Sequence, residues 1–493
     1  MKTIKRKLEK IVGRESVFND PALLDGFATD CSGEKGYRPV LVVKINSHKQ
    51  VKRIIHLANR ESFSLVPVSS GGPRQRGGIP CRNDKSVILD LQSMTEIEWI
   101  NRRNRVAVIE AGVTFEQLQP ALAREGLRTM APLQPKQNKS VLACYWEREA
   151  LTTPRFQWDA MDPITSLEMI QGSGESLFAG EIGTLKGSKK RQRQRGYAHK
   201  HPFGILTLNV KKLGSAAQGA MGICPWAAIR CECLPDYEEV FSVSGQNLKD
   251  LAELTHQLVY SHLADDIYIL NSLNLACLLE QDKEEILNLS YSLPSWTLIF
   301  SITGTGALPS DMFTYKNTEF KNMISRSNFS LNKIAPDKIN CLIRTSSADP
   351  YWKIRLSAHS KEVFFQTAIR KSPGFVSVME KIIEKHNFPL SQLGVYIQPE
   401  RQGSCCHLEF NLHCLASEGS GKKMIDGLVK EATTVMMQQG AFFSRPNGIT
   451  AEYVYSHSGQ ISRQLCDLKN MFDPNGILQT GQFQFSKPDY VPS

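Results

Sequence analysis

Pro67-Val-Ser-Ser-Gly-Gly-Pro-Arg-Gln-Arg-Gly-Gly78 is the stretch on which the reading of this chain turns. Four glycines in twelve residues let the backbone turn sharply and come close to a ligand. Successive amide N–H groups in such a loop form a nest for phosphate oxygens. Arg74 and Arg76 either add charge to that nest or point to solvent. Upstream, residues 40–45 (Val-Leu-Val-Val-Lys-Ile) are apolar and β-branched, as in a buried strand. Ser47 can cap a helix over residues 48–60, whose Val51, Ile54, Ile55 and Ala58 share one face. A second strand, residues 63–68, runs into the glycine loop, which completes a β-α-β unit.

Downstream, residues 86–91 and 105–111 read as strands. Thr114-x-x-Gln117 is a capping box that opens a helix closed at Gly126. Residues 240–435 alternate amphipathic helices (247–263, 375–387) with strand-like runs (296–303, 406–414). A last helix carries Ile461, Leu465 and Leu468 and ends in the turn Asp473-Pro-Asn-Gly476. The 493 residues exceed single-domain size, and 41% hydrophobic with 22% charged residues exclude a disordered, collagen-like or coiled-coil protein.

Lys and Arg total 59 against 49 Asp and Glu, a net charge of +10. Seven of these cations fall within residues 186–200, inside a basic stretch over 186–201. That stretch is either a solvated surface loop or a docking site for an acidic partner or an anionic lipid head group. Nucleic acid is set aside, because stacking aromatics are not interleaved with the charges. No apolar run reaches membrane-helix length, and the basic N-terminus lacks a secretory apolar stretch. The expected compartment is cytoplasmic, with the inner face of the membrane as a peripheral alternative.

Twelve cysteines include no C-x-x-C, which argues against an iron–sulfur cluster or zinc ribbon in this chain. Gly172-Ser-Gly174 has Leu177 where a dinucleotide fingerprint needs glycine, and Gly421-Lys422 is followed by Lys423 where a P-loop needs Ser or Thr. His407 and His413 project to one face of a strand-like segment. A metal pair there is conceivable, but two histidines without a third ligand more often belong to a packed or substrate-facing surface.

The order of these features resembles the flavoproteins of the vanillyl-alcohol oxidase/p-cresol methylhydroxylase superfamily, which includes the glycolate oxidase and D-lactate dehydrogenase flavin subunits. Six segments carry the resemblance: residues 19–30, 38–43 with the following helix, the glycine loop 67–78, Val108-Ile-Glu-Ala-Gly-Val-Thr114, Gln218-Gly-Ala-Met-Gly-Ile-Cys-Pro-Trp-Ala-Ala228, and the ending 468–483. It implies an α+β architecture. A two-subdomain FAD-binding domain spans 1–238, an α+β cap for substrate spans 239–435, and residues 436–493 return to the first domain.

It also implies FAD, held non-covalently since the glycine loop has no histidine. Pro67, Ser69, Ser70, Gly71, Gly72, Arg74 and Gly78 would line the diphosphate. Ser140 and Val141 would approach the isoalloxazine, Gly222 and Ile223 the adenine-ribitol side, and Asn475 would lie in the terminal turn against the cofactor. After Ser140 the family carries glycines, whereas this chain has Val-Leu-Ala-Cys-Tyr-Trp, which implies a differently shaped flavin pocket.

Phenol-oxidising members have a Tyr-Arg pair where this chain has Ser444-Arg445, and the Gly-Glu-His-Gly motif of the hydroxy-acid branch is missing. Arg445 is the anion-holder or an interface salt bridge. His407 is the acid/base or a residue packed on the sheet. Tyr453 and Tyr396 are secondary candidates.

The resemblance implies an FAD-dependent oxidoreductase that dehydrogenates an alcohol or 2-hydroxy acid. Its substrate is a small anion. Electrons pass to an external iron–sulfur, cytochrome or electron-transfer protein, or to oxygen. The alternatives are a phenolic-alcohol or alkylphenol oxidase of the same fold and a non-catalytic subunit of a redox complex. A homodimer is expected, without nucleic acid or a membrane span.

Overall fold

The computed structural model describes residues 2–83, 85–180, 210–325, 330–331, 342–343, 345–357, 359–415, 420–481 and 483. The basic stretch 186–201 lies outside them. Strands Leu41–Lys44 and Ser64–Val68 flank the helix His48–Glu61 as expected. They are not neighbours, however, because Ser86–Asp90 inserts between them, parallel to both. Val17–Phe18 adds an antiparallel edge.

Ser47 stands at the N-cap of the first crossover helix, but its side chain makes no capping bond. Instead the Gln50 Oε1 accepts from the Asn46 amide at 2.8 Å. The Thr114/Gln117 capping box forms in full and opens the helix Phe115–Arg124. Gly126 follows that helix at φ +67°, the left-handed stop that a glycine supplies without strain.

A second, antiparallel sheet orders strands Ile97–Asn101, Val106–Glu110, Ile223–Arg230, Ile164–Ile170 and Ser176–Ala179. Gly172-Ser-Gly174 is the hairpin turn between Ile164–Ile170 and Ser176–Ala179, not a strand-to-helix phosphate turn. A third sheet of seven strands takes only residues from 237 to 413, with Leu393–Glu400, Cys405–His413 and Ser360–Thr367 adjacent at one side. Strand alternation splits Cys405–His413 cleanly. Cys406, Leu408, Phe410 and Leu412 pack into the apolar core beneath the helices. His407, Glu409, Asn411 and His413 project to the opposite face and are nonetheless buried.

Two contacts tie the layers together. Asp265 and Asp266, beside the seven-stranded sheet, meet Arg128 (3.2 Å), Arg155 (2.6 Å) and Thr152 (2.7 Å) from the N-terminal half. Burial pushes the Asp265 carboxyl up, but Lys316, Arg128 and Arg155 outweigh it and hold it at about 2. The helix Gln460–Phe472 returns the chain to the N-terminal core. There Lys469 donates to the carbonyls of Ala220 (2.8 Å) and Leu478 (2.7 Å) and pairs with Asp473, which accepts from the Ile477 and Leu478 amides. Leu65 then pairs with the 477–479 segment at the edge of the parallel sheet.

Candidate active site

The parallel strand Ser64–Val68 delivers the glycine loop to its C-terminal end, where ligands bind in open α/β sheets. Close packing explains the glycines. A Cβ on Gly71 would lie 2.5 Å from the Asn138 amide nitrogen, and one on Gly219, at φ +80°, would lie 2.3 Å from Pro67 Cγ. Three segments (67–78, 132–139 and 218–224) thus close on one another. With residues from the seven-stranded unit they wall a cleft of about 240 Å³.

Pro67, Ser69, Ser70, Gly71, Arg74, Gly78, Gly222 and Ile223 line that cleft. Arg74 is buried, stacks 4.4 Å from the Phe27 ring centroid and donates to Gly26 O at 3.0 Å. Its Nε has no hydrogen-bond partner among the described residues. A glycine cradle beside a buried guanidinium with a spare donor fits a phosphate-bearing cofactor.

Several expected cofactor contacts lie elsewhere. Gly72 faces solvent, and its carbonyl accepts from Asn138 at 3.0 Å, which shapes the loop from outside. Ser140 is fully buried and caps the short helix Val141–Trp146, its hydroxyl donating to Ala111 O at 2.6 Å. Val141, Cys144 and Tyr145 therefore point into the core. Leu142, Ala143 and Trp146 of that helix, with Glu147 and Glu149 after it, do line the cleft, so part of the bulk after Ser140 shapes the pocket. Asn475 bonds Asn59 at 2.7 Å on the outer side of the terminal turn. Tyr453 stacks on His457 at 4.1 Å and does not line the cleft.

At the other end of the cleft stand Arg445 and His407, with a set of charged residues that the sequence reading missed. Arg445 is 7% exposed, lies 4.8 Å from the Phe364 ring centroid, and donates only to the Glu147 carbonyl, at 3.4 Å. Its Nε is unpartnered, and it forms no ion pair among the described residues. Burial and nearby Arg76 both press its pKa down. The interface-salt-bridge alternative finds no partner here.

His407 Nε2 lies 2.9 Å from Glu409 Oε2. Glu409 also accepts from Asn411 (2.7 Å) and from Lys353. Burial would raise Glu409, but Lys353 and the His407 bond outweigh it and hold it well below the carboxylate range. Because an ionised carboxylate only accepts, Nε2 carries the hydrogen, and in the neutral ring Nδ1 is then the acceptor. Lys353 also meets Glu362 at 2.9 Å, which in turn meets Arg76 at 2.7 Å. Glu149 pairs with Lys139. Burial raises it, but Lys139, Arg76 and Arg445 hold it at about 2.

His413, six residues from His407, is completely buried with neither ring nitrogen bonded. Burial lowers it to about 4. His407 engages Glu409 instead, so the two histidines do not form a metal pair. No signal local to any single segment could have assembled the group, because Arg76, Glu149, Lys353, Glu362 and Glu409 meet only in the fold. Strict polar alternation at 407, 409, 411 and 413 was the one available hint.

One cleft thus joins a glycine cradle suited to the phosphates of a nucleotide cofactor to a buried cluster of charged groups. The comparisons give that cofactor its identity. Residues 39–176 match the family model described as FAD binding domain. The chain therefore carries an FAD-binding domain. Its structure is similar to p-cresol methylhydroxylase with substrate bound, at TM-score 0.83 and 15% identity, covering 99% of this chain and 98% of that one. It is also similar to 4-ethylphenol oxidase from Gulosibacter chungangensis, at TM-score 0.78 and 19% identity, covering 98% and 96%.

The fold is thus the p-cresol methylhydroxylase-type FAD fold over nearly the whole chain. In sequence the chain is 22% identical over 288 residues to "D-lactate dehydrogenase [cytochrome], mitochondrial" from Kluyveromyces lactis. That match covers 57% of this chain and 45% of the relative, less than half its length.

Proposed function

We propose that the chain is an FAD-dependent dehydrogenase of a small 2-hydroxy acid, with residues 239–435 forming the substrate cap. The observation that carries this reading is Arg445: a buried guanidinium without a carboxylate partner, in the same cleft as a histidine whose free nitrogen is an acceptor. Ser69, Ser70, Gly71, Arg74, Gly78, Gly222 and Ile223 line the part of the cleft that would hold the cofactor. Bound FAD supplies a hydride acceptor.

Arg445 grips the substrate carboxylate through its planar N–H edge and orients the carbinol carbon. His407 Nδ1 takes the hydroxyl proton, and Glu409 stabilises the imidazolium that results. Tyr351 and Tyr396 line the same cleft with phenols that burial keeps protonated, so neither acts as a base, and Tyr396, whose hydroxyl is given to Gln398, serves as a wall. The eleven described cysteines are free. The electrons leave to an external acceptor, such as an iron–sulfur, cytochrome or electron-transfer protein, and the name of the yeast relative is consistent with a cytochrome.

Purified holoenzyme tests this. Anaerobic bleaching of the flavin absorbance by a 2-hydroxy acid supports the reading. Bleaching by 4-alkylphenols alone would replace it with phenolic oxidation, and no bleaching by either panel would leave a non-catalytic flavoprotein subunit.

A further inference from the structure

The charged residues at the substrate end form one continuous chain. Arg76 of the glycine loop meets Glu362 at 2.7 Å, Glu362 meets Lys353 at 2.9 Å, Lys353 meets Glu409, and Glu409 meets His407 at 2.9 Å. Glu362 faces Asn411 and Glu409 faces Phe364 across paired strands, so the two carboxylates are diagonal neighbours on one buried sheet face. Two such carboxylates repel, and burial disfavours both charges. Lys353 lies between them as the one cation among the described residues that touches both. We propose that Lys353 is a positioning residue: by keeping Glu409 ionised it fixes His407 as the tautomer that presents an acceptor nitrogen to the cleft.

Without Lys353, one of the two carboxylates takes up a proton. Glu362 keeps Arg76, so Glu409 is the one protonated. A protonated Glu409 donates to His407 Nε2, and the imidazole proton moves to Nδ1. The cleft would then face a donor instead of a base. The other groups around His407 do not substitute for Lys353. Tyr396 approaches edge-on at 5.9 Å with its hydroxyl given to Gln398, Phe364 lies 5.4 Å away, and Arg445 sits against the Phe364 ring. Gln366 and Gln398, opposite His407 on the flanking strands, are neutral.

The test reads the imidazole directly and rests on the dehydrogenase reading only in its second arm. FAD-loaded protein labelled with ¹⁵N-histidine is compared at about pH 8.5 as wild type, Lys353→Met, Lys353→Arg and Glu362→Gln, with His407 assigned by His407→Gln. The expected result is an Nε2–H tautomer in wild type and Lys353→Arg, and an Nδ1–H tautomer in Lys353→Met. Glu362→Gln should leave the wild-type tautomer, since Lys353 then serves Glu409 alone. Should Lys353→Met fail to bind FAD, Lys353→Gln removes the charge while keeping a donor and carries the same expectation.

An Nε2–H tautomer in the uncharged variant would overturn the proposal. In the second arm, flavin reduction by a hydroxy acid should slow by roughly 10²-fold or more in Lys353→Met, the lower range of a general-base contribution, with FAD content unchanged. If wild type is not bleached at all, the dehydrogenase reading fails while the tautomer result still decides the role of Lys353.

Discussion

His413 gives the sharpest thermodynamic prediction, because its magnitude can be worked from its surroundings. It is 0% exposed, neither ring nitrogen has a hydrogen-bond partner among the described residues, and burial with nearby Lys353 lowers it from 6.5 to about 4. The neutral ring is tolerated and the charged ring is not. The unfolded chain therefore binds a proton between pH 6.5 and 4 that the folded chain refuses. For a group depressed in this way the stability is fully present above the unfolded value and is lost as the pH falls toward the folded one. With these two values, the cost of lowering the pH from 7.5 to 5 comes to about 2 kcal/mol.

The perturbation is His413→Leu, which removes the titration while filling a similar volume. Urea unfolding followed by Trp296 and Trp352 in the same unit would be run on both proteins at the two pH values. Every other group titrates alike in both, so the difference between them isolates His413. The variant should gain about 2 kcal/mol relative to wild type on going to pH 5. A wild-type-minus-variant difference that is the same at both pH values would refute the reasoning and place a hydrogen-bonding partner on the ring.

Three further outcomes follow from the same geometry. Arg445→Met should weaken hydroxy-acid binding about 10–100-fold, measured by titrating the flavin spectrum, since each lost charge-assisted bond is worth about 1.5–3 kcal/mol. It should do so without the stability loss of a severed ion pair, because Arg445 has none. Gly219→Ala forces a Cβ to 2.3 Å from Pro67 Cγ at φ +80° and should lower FAD retention on gel filtration, whereas Gly374→Ala, where a Cβ meets nothing within 4 Å, should not. Lys469→Met strands a buried Asp473 and should cost about 3–5 kcal/mol, read as a lower thermal midpoint.

What the sequence disclosed, and what it withheld, divides along the range of the forces involved. The glycine loop, the capping box at Thr114 and the terminal Asp-Pro-Asn-Gly turn are set by residues within a few positions of one another. Each carries its own backbone requirement, and each stands where its local chemistry puts it. The interleaving of Ser86–Asp90 between the two strands of the first β-α-β unit is invisible to periodicity, because a buried parallel strand looks the same wherever it pairs.

The bulky run after Ser140 was legible only in part, since Leu142 and Trp146 line the cleft while their neighbours do not. Residue size was legible, but direction was not, and a six-residue helix turns Val141, Cys144 and Tyr145 into the core. The charge cluster is the extreme case. Arg76 and Glu362 are 286 positions apart, so no window of sequence contains both. The alternation His407-x-Glu409-x-Asn411-x-His413 still carried a physical message. Four polar side chains on one face of a strand flanked by Leu408, Phe410 and Leu412 cannot all be solvated if that strand is central. Buried polar groups need partners, so such a stripe in the interior calls for partners from distant segments, and Lys353 on Glu409 and Asn274 on Asn411 are two of them. His413, at the far end of the stripe, is the member without one among the described residues. The stripe therefore runs from His407, which lines the cleft, to a buried end at His413 that resists protonation.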